Sequence, residues 1–246
     1  IIAVKTVSLT KDYGQDRGDF DLNLEIKEGE CFGLVGENGA GKTTFLRLLM
    51  GFVKPSSGEA YIYGHDTYKE ASIVKNYVGY VPGEINFPEA KTGLEFLTTF
   101  GAKRGVTNFD KATSIIKRLQ LDARAYPKRM SKGMKQKLAI VSALMLDSPL
   151  ILLDEPTTGL DPKARIIVWD LIEKIRKETN MTVLLTTHYL EEAEKASMVV
   201  IMNKGKIIAS GSPNELKNKF AKDCIYTYVD FNEKFSKNLA ELNYFS

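Results

Sequence analysis

Gly36 to Thr44, GENGAGKTT, fits the pattern G-x-x-x-x-G-K-[ST] of a loop that joins a strand to a helix and wraps phosphate. Gly36, Gly39 and Gly41 let backbone N–H groups turn inward around phosphate oxygens, with Glu37, Asn38 and Ala40 carried between them. Lys42 brings a point charge to the outer phosphates, and Thr43, followed by Thr44, offers its hydroxyl to magnesium at the positive end of the next helix. A glycine turn with an incidental lysine is the bland alternative; the apolar strand before the loop and the periodic helix after it favour the phosphate reading. Downstream, LILLDE delivers Asp154 and Glu155 at the end of an apolar run. Two adjacent carboxylates there raise one another's pKa unless a cation offsets the cost. Asp154 is therefore the candidate magnesium ligand, directly or through water. Glu155, expected on the other face of the pleat, is the candidate base for a water facing the γ-phosphate. An acidic turn capping a core strand is the competing reading.

Between these lies RMSKGMKQKLAI, in which Ser131 is a good N-cap and Gly133 lets an anion approach the backbone. Met134, Leu138, Val141 and Met145 recur at helical spacing behind them. Alone this is an ordinary capped helix. It leaves open why a chain with one phosphate loop would carry a second anion-binding helix start.

The elements that must position these groups read as an α/β fold, a phosphate-loop core with a mostly parallel sheet. IIAVKTVSLT and DLNLEI alternate as an antiparallel edge around the turn-like KDYGQDRGDF. CFGLVG is an apolar strand buried on both faces, followed by a helix from Thr43 that stops at Gly51, and GEAYIYG and VGYVPG are two more strands. From about Phe96 to Lys128 the pattern is helical, broken at Pro127, so a helical lobe is inserted in the core. A helix through ARIIVWDLIEKIRKE, the strand TVLLTTH, the short helix LEEAEKAS and the pair VVIMNKGKIIAS complete the alternation. The 246 residues suffice for one core domain with such a lobe. With 43% apolar residues, no run approaches the ~18 that a membrane span requires. A formal charge of +3 gives no reason to expect nucleic acid, and Cys31 and Cys224 form neither a disulfide framework nor a metal pattern, as suits a reducing cytoplasm. The first residue is Ile and no leader follows it, so trimmed ends and no targeting peptide are expected.

The order of phosphate loop, helical insertion, Ser-x-Gly helix start, LILLDEP, GLD and an isolated histidine at a strand end resembles the ATP-binding cassette ATPases, the motor subunits of ABC transporters. The resemblance runs from about Val4 to Leu216. It implies a domain over 1–217, with a helical subdomain at about 84–148, and a tail over 218–246, lysine- and aromatic-rich with one expected strand at IYTYVDF, to which no role attaches. MSKGM occupies the place of the family's signature, which closes over nucleotide held by a second subunit. Two phosphate sites in one chain then make sense: the second is supplied in trans, in a homo- or heterodimer binding ATP and Mg²⁺. The resemblance further implies that Tyr13 stacks on adenine, that Gly159, Leu160 and Asp161 run along the dimer interface, and that His188 contacts the γ-phosphate and helps hold Glu155. It implies a separate transmembrane permease, a peripheral place on the cytoplasmic face of the membrane, and no nucleic-acid partner. YVPGE, SKGMKQKLAI and GLDP resemble exporters.

Two departures stand out. Where the family has a magnesium-sensing Gln after GYVP, this chain has Gly83 and then Glu84, so Glu84 or the backbone takes over that contact or coupling is looser. Lys132 and Met134 replace Gly and Gln of the signature, and Lys132 either adds a positive charge near the partner's γ-phosphate or is solvated, the second being favoured. A soluble cassette ATPase acting on ribosomes or DNA is the rival; its usual second cassette or coiled coil is missing here. A kinase or GTPase leaves the signature stretch unexplained, and a catalytically dead module conflicts with Lys42 and Glu155.

Overall fold

The computed structural model describes residues 1–88 and 92–220. The expected strand at IYTYVDF lies outside them. One compact unit runs from Ile1 to Pro213, and of the second, Asn214 onward, the described part belongs to an eight-residue helix, Pro213–Phe220.

The chain opens with β1 (Ile2–Asp12) and β2 (Gly18–Lys27), paired antiparallel with Leu9 opposite Leu22 and Val4 opposite Ile26. Lys11 pairs with Asp19 and Asp12 with Gly18, so the ladder extends into the expected turn and leaves only 13–17 as the connection. Next come β3 (Cys31–Val35), α1 (Lys42–Leu49), β4 (Ser57–Ile62), β5 (His65–Asp66), α2 (Ala71–Val74) and β6 (Val78–Val81). β5 and α2, at two and four residues, are too short to show a periodicity in the sequence. His65 is half-buried, with its ring stacked on Tyr77 and Nδ1 3.2 Å from Glu70 Oε1. β2-β1-β4-β5 form one antiparallel sheet.

Between β6 and β7 (Leu150–Asp154) lie α3 (Gly93–Lys103), α4 (Asp110–Arg118) and α5 (Lys132–Leu144), with no strand among the described residues. Then follow α6 (Pro162–Thr179), β8 (Thr182–Thr187), α7 (Leu190–Ala193), β9 (Met198–Asn203) and β10 (Lys206–Gly211). The main sheet runs β10-β9-β3-β8-β7-β6, parallel except for β10. β3, β7 and β8 are buried at every residue, which is why they read as unbroken apolar runs. Phe45, Leu46 and Leu49 of α1 pack with Leu34, Leu152 and Leu184 of the sheet and with Leu22, Ile26 and Ile62 of the antiparallel layer. The phosphate loop thus springs from the centre of the core.

Asp19 is the anomaly in this packing. Its side chain is fully buried in β2, and neither carboxylate oxygen has a hydrogen-bond partner. Burial alone pushes its pKa up to about 8. Since an unfolded Asp titrates near ~3.9, the folded protein binds more protons between these values, and stability falls as pH rises from about 4 to about 8. Asp19→Ala should remove that slope: relative to the parent, the variant gains on the order of a few kcal/mol between pH 5 and pH 9, measured by denaturant unfolding. Parallel pH profiles for the two proteins would contradict this.

Candidate active site

The loop from Gly36 to Gly41 links β3 to α1, and three glycines are required for different reasons. Gly39 and Gly41 have left-handed φ of 84° and 111°. A Cβ on Gly36 would stand 2.6 Å from Met202 O, and one on Gly41 would stand 2.0 Å from Asp19 Oδ1. Ala40 N donates to Glu37 O at 3.1 Å, and Gly205 N donates to Ala40 O at 2.8 Å, which ties the loop to the β9–β10 turn. Gly41 caps α1 without a side chain, so the first N–H groups of the helix stay free for an anion. Lys42 is 5% exposed and donates to Gly36 O at 2.6 Å and Glu37 O at 3.0 Å. Thr43 is exposed and Thr44 half-buried beside it.

The later part of the loop and the start of α1 border a cavity of ≈ 460 Å³, lined by Tyr13, Asn38 to Thr44 and Glu155, whereas Gly36 and Glu37 do not line it. Arg17 and Lys204 also line it, and sequence reasoning missed both. Arg17 sits in the β1–β2 connection, and Lys204 reaches the cavity only because the β9–β10 turn is bonded to the loop. No local spacing signals either contact.

Asp154 ends β7, 1% exposed, and its Oδ1 accepts from Thr186 Oγ1 at 2.6 Å. Oδ2 is buried without a partner and faces Gly83, whose Cβ would stand 3.1 Å from it. An orphaned anionic oxygen of this kind suits a hard cation. Among the described residues no group of three His, Cys, Asp or Glu side chains forms a protein cage for a metal, so the fit is to an ion shared with substrate phosphates. Burial, with Asp154 nearby, also pushes the Tyr80 phenol up to about 12. Glu155 departs from expectation: β7 ends at Asp154, and Glu155 is left-handed at φ 48°, so its direction is set by a backbone kink rather than by the pleat. The kink is held by Glu155 N donating to Thr186 O at 3.2 Å and Thr186 Oγ1 at 3.1 Å. Glu155 Oε1 then lies 3.6 Å from Lys42 Nζ and 3.3 Å from His188 Nδ1, while Oε2 accepts from Thr158 Oγ1 at 3.3 Å. A carboxylate between an ammonium and an imidazole, one-quarter exposed at the cavity wall, can take a proton from water.

Ser131, Gly133 and Asp161 do not line this cavity. Ser131 caps α5, accepting from Met134 N at 3.2 Å. A Cβ on Gly133 would stand 3.1 Å from Gly159 O, so the start of α5 packs on the Gly159–Asp161 loop of its own chain. The Lys132 stem lies across Gly159 and its residue is exposed, in keeping with a solvated ammonium. Asp161 caps α6 and accepts from Ala164 N at 3.0 Å, a bond that holds its carboxyl below the usual range. Arg165 braces the same loop, donating to Leu160 O at 3.2 Å and lying over the Tyr189 ring beside His188.

Residues 20–158, more than half of the 246-residue chain, match the family model for ABC transporter. The chain belongs to that family. It is 36% identical over 242 residues to Nod factor export ATP-binding protein I of Cupriavidus metallidurans, covering 96% of this chain and 80% of that protein. It is 34% identical over 229 residues to daunorubicin/doxorubicin resistance ATP-binding protein DrrA of Streptomyces peucetius, covering 91% and 69%. Its fold matches, with a TM-score of 0.74 and 27% identity over 85% of this chain and 98% of the other, a dimeric ATP-binding cassette in a post-hydrolysis state bound to ADP and phosphate. The chain is an ABC-type ATPase, the ATP-binding subunit of a transporter. The rival reading, a soluble cassette acting on ribosomes or DNA, is not favoured.

The cassette's loop tolerates no side chain at Gly41. Gly41→Ala should lower ATP affinity at least about tenfold and reduce stability by roughly 1–3 kcal/mol through strain against Asp19. Isothermal titration and thermal unfolding check both; wild-type binding by this variant would contradict the loop's assignment.

Proposed function

We propose that this cassette drives export through a separate membrane permease, as one half of a dimer that binds two ATP molecules at composite sites. The observation that carries the reading is Glu155 held between Lys42 and His188 on the wall of the phosphate-loop cavity. Gly36, Glu37, Asn38, Gly39, Ala40, Gly41, Lys42, Thr43 and Thr44 would cradle the phosphates, and Tyr13, half-exposed at the cavity's edge, would stack on adenine. Asp154 Oδ2 and the Thr43 hydroxyl would hold Mg²⁺, which when bound neutralises charge on the outer phosphates. Glu155 takes a proton from the attacking water as its oxygen bonds to the γ-phosphorus and the bond to the β-phosphate oxygen breaks. His188 holds Glu155 and the water in line, and Lys42 turns from the loop carbonyls to the phosphates. Thr186 Oγ1, donating to Asp154 Oδ1, holds that carboxyl in place.

Ser131, Gly133 and Asp161 act on the partner subunit's nucleotide, which is supported by their position outside this chain's own cavity. A domain over 1–217 with a helical lobe at about 84–148 would pass dimer closure to the permease on the cytoplasmic face, through the ≈ 390 Å³ groove lined by Gly83 to Asn86 and by Lys132, Lys135 and Gln136. No helix among the described residues is long and apolar enough to cross a membrane. Export is supported by the relatives; their different cargoes leave the cargo to be chosen by the permease.

Glu155→Gln should bind ATP as the parent does while turnover falls about 10²–10⁴-fold and an ATP-bound dimer accumulates, seen by phosphate release and light scattering. Steady hydrolysis near the parent's rate would remove Glu155 from the base role. Capture of the tagged chain from detergent-solubilised membranes should bring down a stoichiometric polytopic protein; recovery of soluble partners alone would contradict the permease.

A further inference from the structure

Glu192, the third residue of α7, is a buried acid outside the phosphate-loop cavity. It is 5% exposed, and its carboxylate is the meeting point of three donors from three different elements. Thr187 Oγ1, at the end of β8, donates to Oε2 at 2.6 Å. Thr157 Oγ1, two residues beyond Glu155, donates to Oε1. The Trp169 indole N–H on α6 also donates to Oε1, at 3.3 Å. Both threonines are 1% exposed and Trp169 is 4% exposed, so water does not compete for these bonds. The Thr187 hydroxyl is used twice: while it donates to Glu192 it accepts from Tyr189 N at 2.9 Å, across the peptide of His188. A buried acid is costly unless its oxygens are satisfied. Here donors satisfy both, and an acceptor-only group fits them where an amide would set donor against donor.

The two threonines flank the reacting pair. Thr187 directly precedes His188, and Thr157 lies in the loop that follows the Glu155 kink. We propose that Glu192 is a positioning residue for ATP hydrolysis: its carboxylate fixes the spacing between the loop carrying Glu155 and the strand end carrying His188. The 3.3 Å contact between His188 Nδ1 and Glu155 Oε1 is what that spacing serves. α6, through Trp169, acts as the fixed wall against which both are held. The proposal rests on the reading of Glu155 as base and His188 as its partner.

The test is steady-state ATP hydrolysis by the full chain, with ATP affinity measured on the same preparations. Thr187→Val, which keeps shape and loses the hydroxyl, should lower kcat about 10- to 100-fold, the range for groups that orient a reacting residue, and leave KM for ATP unchanged because the phosphate loop is untouched. Thr187→Ser, which keeps the hydroxyl, should restore most of the rate. Glu192→Gln should reproduce the Thr187→Val loss, and the double variant should cost less than the product of the two, as members of one network do. A merely structural network would instead lower the unfolding midpoint and leave kcat per folded molecule intact. Folded Thr187→Val at the parent's kcat, or Thr187→Ser no better than Thr187→Val, overturns the proposal. Glu155→Gln is assayed alongside: if it is inactive while Thr187→Val is not, the positioning claim alone falls, and if it turns over freely, the base reading falls and takes the claim with it.

Discussion

Three parallel strands ending at one edge of the sheet are the constraint on which the rest of the structure depends. β3, β8 and β7 are neighbours in register, Val35 beside Thr187 and Asp154 beside Thr186, so the chain leaves all three at the same level. One exit becomes the phosphate loop and Lys42, the next His188, the third Asp154 and Glu155. Parallel pairing makes this convergence unavoidable, since the helical crossovers return on the sheet faces and leave the carboxyl edge open. The 3.6 Å between Lys42 and Glu155, from residues more than a hundred positions apart, is a product of that register.

Chemistry at this edge is purchased with local disfavour. Glu155 is left-handed without being glycine, Gly41 admits no other residue, and the carboxylates of Asp19 and Asp154 are buried with unpaired oxygens. The cases differ in kind. The free oxygen of Asp154 lies beside Gly83, where it suits a cation, whereas Asp19 lies behind the loop, where a Cβ on Gly41 would stand 2.0 Å from its Oδ1. Around them lies a core of Phe45, Leu34, Leu152 and Leu184, fully buried or nearly so, whose packing tolerates strain at the rim.

Much of this was legible in the residues. Runs such as LILLD and TVLLTT have no polar face because both faces are covered, and GENGAGKT combines left-handed positions with a lysine at a helix start. Other features depend on contacts that no spacing encodes. Glu192 sits in LEEAEK, which reads as a short charged helix; only the folded chain brings a tryptophan and two threonines to it. Lys204 lies in an ordinary hairpin turn and reaches the cavity because Gly205 bonds Ala40. The kink at Glu155 has no sequence signal, because alternation describes a strand and β7 ends one residue earlier, at Asp154.

In the proposed dimer the α5 helix start serves a nucleotide held by another subunit. Sedimentation velocity of the Glu155→Gln chain with ATP, with and without Ser131→Arg, tests it most directly. The expected result is an ATP-dependent dimer that Ser131→Arg abolishes while monomer affinity for ATP stays the same. An undiminished dimer in the Ser131→Arg chain, or a monomer that no longer binds ATP, would contradict it.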